Sequence, residues 1–186
     1  MISRLQLMKC HALLAALIFP VAIMFMVTGS LYTWGIKGSY VNETYNIQLS
    51  EALRPELSGL TELAEAELEK QGLSIPSGKP KIKSLGDYFT LEWTGSSKDV
   101  VLEPTNNHLI AKLTVKHTSW YRNLVQLHKA KGGTAFKIYA AILAVSIGLL
   151  LVSGFAMAWQ TPKLKRATIN SSLIGVISFI VFVWLS

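Results

Sequence analysis

The sequence predicts an α-helical membrane protein with three transmembrane helices and a small α+β domain, outside the cytoplasm, between the first two helices. Three long runs carry no formal charge: residues 11–36, 138–162 and 167–186. A bilayer core about 30 Å thick takes about 20 apolar residues as a helix, because only a helix satisfies its own backbone in lipid. All eleven acidic residues lie within positions 43–103, which indicates a water-exposed segment there.

Composition supports this class. Of the 186 residues, 51% are apolar, and the net charge of +7 comes largely from cations that flank the uncharged runs. We therefore expect contact with membrane lipid, in particular anionic headgroups, and no binding of nucleic acid. Cys10 is the single cysteine, so an internal disulfide is excluded in any compartment.

Residues 1–36 are predicted to hold the first transmembrane helix. A signal peptide is the alternative, but the run is longer than the apolar core of a signal peptide and lacks a small-x-small cleavage site. Arg4 and Lys9 precede the run, so its start is expected on the cytoplasmic side. Pro20 removes a backbone donor and is expected to kink the helix, and Tyr32 and Trp34 mark the outer interface.

Residues 37–116 are predicted to form a soluble α+β domain. Leu57, Leu60, Ala64 and Leu68 recur at helical spacing, and Gly72 stands where a helix would end. Apolar residues in alternation predict three strands, and turn residues separate them. The predicted strands cover residues 81–85, 88–93 and 109–115, and the turns cover 95–97 and 104–107. These elements predict one helix packed on a small antiparallel sheet.

Residues 117–134 are predicted to form an interfacial re-entry segment. Trp120, Tyr121, Leu124 and Leu127 would face one way, and nearby cations would point to headgroups. A second transmembrane helix over residues 135–162 should follow.

The last part of the chain is predicted to be a basic cytoplasmic loop over residues 163–169 and a third transmembrane helix over residues 170–186. Three cations without a neighbouring acid, Lys163, Lys165 and Arg166, place the loop inside under the positive-inside rule. Counting crossings then predicts a cytoplasmic N-terminus, an outer soluble domain and an outer C-terminus.

Two local patterns carry a family resemblance. The first helix opens at residues 9–11 (Lys-x-His) and closes at residues 28–32 (Thr-Gly-x-Leu-Tyr). The second is preceded by residues 127–133 (Leu-His, then Gly-Gly) and closes at residues 153–157 (Ser-Gly-x-x-Met). These patterns resemble the PepSY-associated transmembrane helix family. The segment at 102–109 is similar to the turn and return strand of a PepSY domain, with Asn107 in place of a glycine; Asn also tolerates a left-handed turn conformation.

The resemblance implies a minimal, three-span member of a family found in the bacterial inner membrane, with a PepSY-like domain in the periplasm. PepSY domains occur next to proteases, where inhibition or regulation has been proposed. Larger relatives with more spans resemble haem-containing ferric-siderophore reductases. This chain has fewer spans, so that activity does not follow from the resemblance alone.

His11 and His128 are the candidate cofactor ligands, for haem b, because imidazoles on membrane helices are common axial ligands. The predicted topology separates the pair by about 30 Å, so one haem could not be held by both within one chain. His117 and His128 would lie about 16 Å apart on a straight helix. The alternative is that His11 and His128 are interfacial residues that hydrogen-bond headgroups or neighbouring helices. The fourth histidine of the chain is His108.

The sequence contains no catalytic constellation and no metal-ligand motif. Its serines lack a Gly-x-Ser-x-Gly setting, and no phosphate-binding glycine loop is present. We therefore expect a non-catalytic accessory or regulatory subunit with a protein partner in the inner membrane or periplasm; the alternative is a b-type haem electron-transfer protein. Ala140, Ala144 and Gly148 form a small-residue stripe that would serve either packing within the chain or a homodimer.

Overall fold

The computed structural model describes residues 3–86 and 88–186, over which five helices and five strands are assigned. In chain order they are α1 Arg4–Thr33, β1 Tyr40–Gln48, α2 Leu57–Lys70, β2 Pro80–Leu85, β3 Tyr88–Thr94, β4 Lys98–Pro104, β5 Ile110–Thr118, α3 Trp120–His128, α4 Thr134–Trp159 and α5 Pro162–Leu185.

Three helices, α1, α4 and α5, are long and apolar enough to cross a membrane. They correspond to the three uncharged runs, so the prediction of three membrane helices is confirmed. α1 continues through Pro20 without a break in its assignment.

The predicted loop at residues 163–169 is wrong, because these residues form the first turns of α5. Pro162 occupies the start of that helix, where a missing backbone donor costs nothing, and good helix formers follow it.

The five strands form one antiparallel sheet in the order β1-β5-β4-β3-β2. β1 and β5 pair along nine residues, from Tyr40 opposite Thr118 to Gln48 opposite Ile110. α2 packs on β2 and β3 through the predicted apolar face, since Leu60, Ala64 and Leu68 are almost fully buried. Alternate side chains of the central strands complete this core, which contains Leu91, Trp93, Val100, Leu102, Ala111, Leu113 and Val115.

The predicted count of three strands is wrong, because β1 and β4 were not recognised. β1 has a polar sequence and is an edge strand, with most of its residues exposed, so it lacks the apolar alternation of a half-buried strand. β4 begins with Lys98 and Asp99, which are both only 8% exposed, and charged residues in the core are rare. The return strand also continues to Thr118, beyond the predicted domain end at residue 116.

The chain divides into two compact units. One comprises the described part of Met1–Ile23 together with Ala140–Ser186, and the other is Met24–Tyr139. The second unit contains the whole sheet, α2, α3 and the adjoining ends of α1 and α4. Each candidate site described below lies within one of these units.

Candidate functional site

The first cluster surrounds His128, the last residue of α3. Its Nδ1 lies 2.9 Å from Oγ1 of Thr28, near the C-terminal end of α1. Thr28 is only 1% exposed. Its hydroxyl donates to the backbone carbonyl of Met24 one turn earlier, at 2.6 Å, which is the usual bond of a helical threonine. His128 therefore packs against the Thr-Gly pair near the end of α1.

This hydroxyl favours one tautomer of His128. A threonine hydroxyl carries one hydrogen, and the hydrogen of Thr28 is used in the short bond to Met24. This leaves Oγ1 as the acceptor and favours the neutral tautomer that carries its hydrogen on Nδ1. Nε2 is left with a free lone pair, which can accept a hydrogen bond or ligate a metal.

The ring of His128 is also held by packing. A Cβ atom added to Gly29 would lie 3.1 Å from Cε1 of the imidazole, so the ring lies directly over the bare backbone of α1. The ring of Phe25 is 4.9 Å away, measured between centroids, and Phe25 stacks in turn on Phe136 at 6.5 Å. Gly29 thus allows an approach that any larger residue would hinder.

The second cluster repeats this arrangement around His11 on α1. Nδ1 of His11 lies 2.8 Å from Oγ of Ser153 on α4, and the serine hydroxyl lies 3.1 Å from the backbone carbonyl of Leu150, to which it donates. Unlike the 2.6 Å bond of Thr28, this carbonyl bond is longer than the contact with Nδ1, so the serine hydroxyl can also donate to Nδ1, and both tautomers of His11 fit the geometry. Gly154 follows Ser153, and a Cβ atom there would lie 3.6 Å from Cε1 of His11, an ordinary contact distance.

Both histidines therefore bond to neighbouring helices, as the alternative prediction for them stated, and in the Nδ1–H tautomer each ring keeps a ligand-competent Nε2. A metal-ligating histidine typically donates its other ring hydrogen to an oxygen acceptor, which orients the ring and sets the tautomer. Each cluster fits that arrangement as a source of one axial ligand. Within residues 3–86 and 88–186, no group of three or more histidine, cysteine or acidic side chains is arranged to hold a metal ion.

The other two histidines lie on the sheet. His108 is in the turn between β4 and β5. Nε2 of His117, on β5, lies 3.4 Å from Oε2 of Glu43 but without hydrogen-bond geometry. The pKa of Glu43 is lowered, chiefly because the hydroxyl of Tyr45 donates to its carboxylate. The structure brings neither histidine into the clusters of His11 and His128.

A third feature, not predicted from the sequence, joins the sheet to α3. We call it the polar junction, and it consists of Tyr40, Asp99, Arg122 and Gln126. The hydroxyl of Tyr40 donates to Oδ2 of Asp99 at 2.7 Å, and Arg122 donates to that hydroxyl at 2.8 Å. Gln126 is fully buried, and its amide donates to Asp99 at 3.2 Å.

Burial is the main reason that the pKa of Tyr40 is raised, and the hydrogen bond to Asp99 adds to the effect. The phenol therefore keeps its proton and remains a donor. Arg122 also donates to the backbone carbonyl of Lys37, at 3.1 Å, in the segment that connects α1 to β1. The polar junction thus ties the sheet, α3 and the chain leaving α1 together.

A sequence signal for the polar junction exists, but it is weak. Arg122 and Gln126 are spaced four apart, so they share one face of α3 with neighbouring apolar Val125, which is also buried. The predicted apolar face began with Trp120, which is 79% exposed. Two polar residues on a helix are most often solvated, and only the opposing Asp99 and Tyr40 give this pair hydrogen-bond partners within the protein.

Sequence comparison now relates these features to known proteins. The sequence model for the PepSY-associated TM region matches residues 2–161. The chain belongs to this family. The match includes both histidine clusters, the sheet and the polar junction, and it ends before α5. Among curated proteins and among solved structures, no match is found. The chain is therefore a multi-pass membrane protein of the PepSY-associated TM region family, with an antiparallel sheet domain inserted after its first membrane helix.

Proposed function

We propose that this PepSY-associated TM region protein is a non-catalytic accessory or regulatory subunit of the bacterial inner membrane. It presents a PepSY-like sheet domain in the periplasm to a protein of an envelope complex. The observation that carries the proposal is the polar junction, in which Asp99 and Gln126 are buried and hydrogen-bonded. A domain fixed to its membrane anchor in this way holds a binding surface in one orientation, which lowers the entropy cost of binding.

The proposed binding surface is the face of the sheet opposite α2, which we call the open face. It carries paired charges: Lys83 with Glu92 at 3.0 Å, and Lys112 with Glu103 at 2.9 Å. The partner proposed is a protein with a polar, mixed-charge surface, because interfaces of this kind gain specificity from charge complementarity.

The orientation of the chain in the membrane is part of the proposal. The cytoplasmic N-terminus and periplasmic C-terminus rest on Arg4 and Lys9 before α1 and on the cations at the start of α5. Reporter fusions after Gly78 and after Lys165 test it. The first fusion should be active outside the cytoplasm and the second inside, and the opposite result would contradict the proposed compartment.

Site-specific crosslinking in intact membranes tests the accessory role. A photo-reactive amino acid at Thr114, on the open face, should capture a defined partner, whereas one at Glu62, on the exposed side of α2, should not. Asp99→Ala should reduce capture from Thr114 severalfold, because it removes the acceptor of the polar junction. Equal capture from both faces would contradict the proposal, as would a purified monomer that shows enzymatic turnover.

A second candidate function is favoured by the two histidine clusters. In both, Nδ1 is hydrogen-bonded to a hydroxyl on another helix, and with the ring hydrogen on Nδ1 each Nε2 would be available as a ligand of haem b. In this alternative each histidine holds one haem, with the second axial ligand supplied by a protein partner or a second copy. Haem, when bound, supplies one-electron transfer, and the chain would relay electrons across the membrane as relatives of the ferric-siderophore reductases.

An absorption spectrum separates the two functions. Protein expressed with ample haem and purified in mild detergent should show a Soret band that shifts on reduction if the second function holds. His11→Ala and His128→Ala should each remove part of the band, and His108→Ala, on the sheet, is the matched control. Loss of the band in the control alone would contradict the ligand assignment, and no band at all would leave the accessory function.

A further inference from the structure

Four lysines converge on one pocket in the unit that contains the sheet. Lys79 immediately precedes β2 and Lys81 lies near its start, Lys131 comes from the loop after α3, and Lys137 from the first turn of α4. The pocket has a volume of about 270 Å³ and is completed by backbone and small side chains, including Thr94 and Ala130. Within the described residues, no acidic side chain lines the pocket and none of the four lysines forms an ion pair.

The pocket contrasts with part of the open face of the sheet, where Lys83 and Lys112 each pair with a glutamate. Glu92 lies opposite Lys81 in the sheet register, but its carboxylate pairs with Lys83. Four positive charges without an ion-pair partner repel one another, and the repulsion is relieved when an anion binds between them. The uneven distribution of acids therefore indicates a binding site for an anion.

The loop that supplies Lys131 is held in place from both sides. The backbone N–H of Lys131 donates to the carbonyl of Gln126 at 3.0 Å, and its carbonyl accepts from the hydroxyl of Ser77 at 3.0 Å. Ala130, just before it, adopts φ 57°, a left-handed conformation that an alanine rarely takes. The backbone of Lys131 is thus fixed at the edge of the pocket.

The position of Lys137 determines which anions can reach the pocket. It is the last charged residue before the uncharged run 138–162, and it stands in the first turn of a membrane helix. A lysine at such a border lies at the level of the lipid headgroups. The pocket is smaller than the roughly 300–1,000 Å³ of most organic-ligand sites, so it suits a compact group such as a phosphate, which lysine binds as a point charge.

We propose that Lys79, Lys81, Lys131 and Lys137 form a binding site for a phosphate group, that of an anionic phospholipid headgroup at the membrane surface or a free phosphate. The site is independent of the accessory and haem functions proposed above. Bound to a lipid phosphate, it would fix the height of the sheet domain above the bilayer.

Native mass spectrometry of the full chain in a neutral detergent tests the site. The probes are short-chain phosphatidylglycerol, phosphatidylcholine of the same chain length, and inorganic phosphate. The variant K79Q/K131Q removes two lysines of the pocket, and K70Q/K83Q removes the same charge elsewhere on the soluble domain. Circular dichroism establishes that both variants are folded.

Phosphatidylglycerol should bind more tightly than phosphatidylcholine, and K79Q/K131Q should weaken its binding about thirtyfold, at about 1 kcal/mol for each lysine. The control should bind as the unmodified chain does. Inorganic phosphate that binds and competes at the same concentration as the lipid would support the site and identify its ligand as a free phosphate. Binding of phosphatidylglycerol that is unchanged in K79Q/K131Q, or that falls equally in K70Q/K83Q, would overturn the proposal.

Discussion

The two histidine clusters have the same chemistry but different packing. In both, Nδ1 bonds to a helix hydroxyl at 2.8–2.9 Å and a glycine follows the hydroxyl residue. Thr28 is almost fully buried, and a Cβ atom at Gly29 would come within 3.1 Å of the ring of His128. Ser153 is half-buried, and the corresponding distance at Gly154 is 3.6 Å. A short polar motif thus determines the hydrogen bond, whereas the surrounding side chains determine how much the bond contributes to stability.

Removing the acceptor hydroxyls should give the largest difference between the clusters. Thr28→Val keeps the shape of the side chain but leaves the Nδ1–H of His128 without an acceptor, and a buried unsatisfied donor costs about 2 kcal/mol. Ser153→Ala should cost only about 0.5 kcal/mol, close to the average for polar contacts between membrane helices. Thermal unfolding of the detergent-solubilised chain measures both. Equal losses would show that burial does not distinguish the two clusters.

Adding a methyl group beneath each ring should give the next largest effect. Gly29→Ala should destabilise the protein by about 1–2 kcal/mol, as overpacking of a filled site does. His128 cannot easily move aside, because Thr28 and Phe25 hold its ring. Gly154→Ala places its methyl at an ordinary contact distance and should be nearly neutral. The same unfolding assay applies, and a neutral Gly29→Ala would mean that His128 is more mobile than its contacts indicate.

The loop after α3 offers a stabilising change that concerns only one cluster. Ala130 has φ 57° and follows the helix end that positions His128. Ala130→Gly should raise the free energy of unfolding by about 0.5–1 kcal/mol, because glycine adopts this conformation without strain. In the Thr28→Val background it should still add the same amount. A destabilising result would show that the loop conformation is supported by contacts of the Ala130 methyl group.

Acid titration of an ion pair on the sheet should give the smallest effect. The pKa of Glu103 is lowered, mainly by the hydrogen bond from Lys112. Its ion pair therefore contributes stability above the unfolded-state pKa near 4.3, and the contribution is lost as the pH falls through the folded-state pKa. Lys112→Gln should remove a few tenths of a kcal/mol of this acid dependence, since the pair is partly exposed.

The sequence was sufficient for features that depend on neighbouring residues. The uncharged runs at 11–36, 138–162 and 167–186 identified α1, α4 and α5, because a helix in lipid must be long, apolar and continuous. The spacing of Leu60, Ala64 and Leu68 identified α2 and its buried face. His11 and His128 were singled out by their type and their place at the ends of apolar runs, and the structure gives each a defined environment.

Other features depend on residues far apart in the chain, and only the tertiary structure decided them. β1 is a strand because its backbone pairs with β5, some seventy positions later, and not because of its own polar sequence. Asp99 is buried because Tyr40 and Gln126, which lie far from it in the chain, donate hydrogen bonds to its carboxylate, a condition that no local pattern records. The hydroxyls that bond to His11 and His128 lie on other helices, and the lysine pocket joins three separate segments. Burial of a polar group is costly unless it has a hydrogen-bond partner, and the fold alone determines which partners come together.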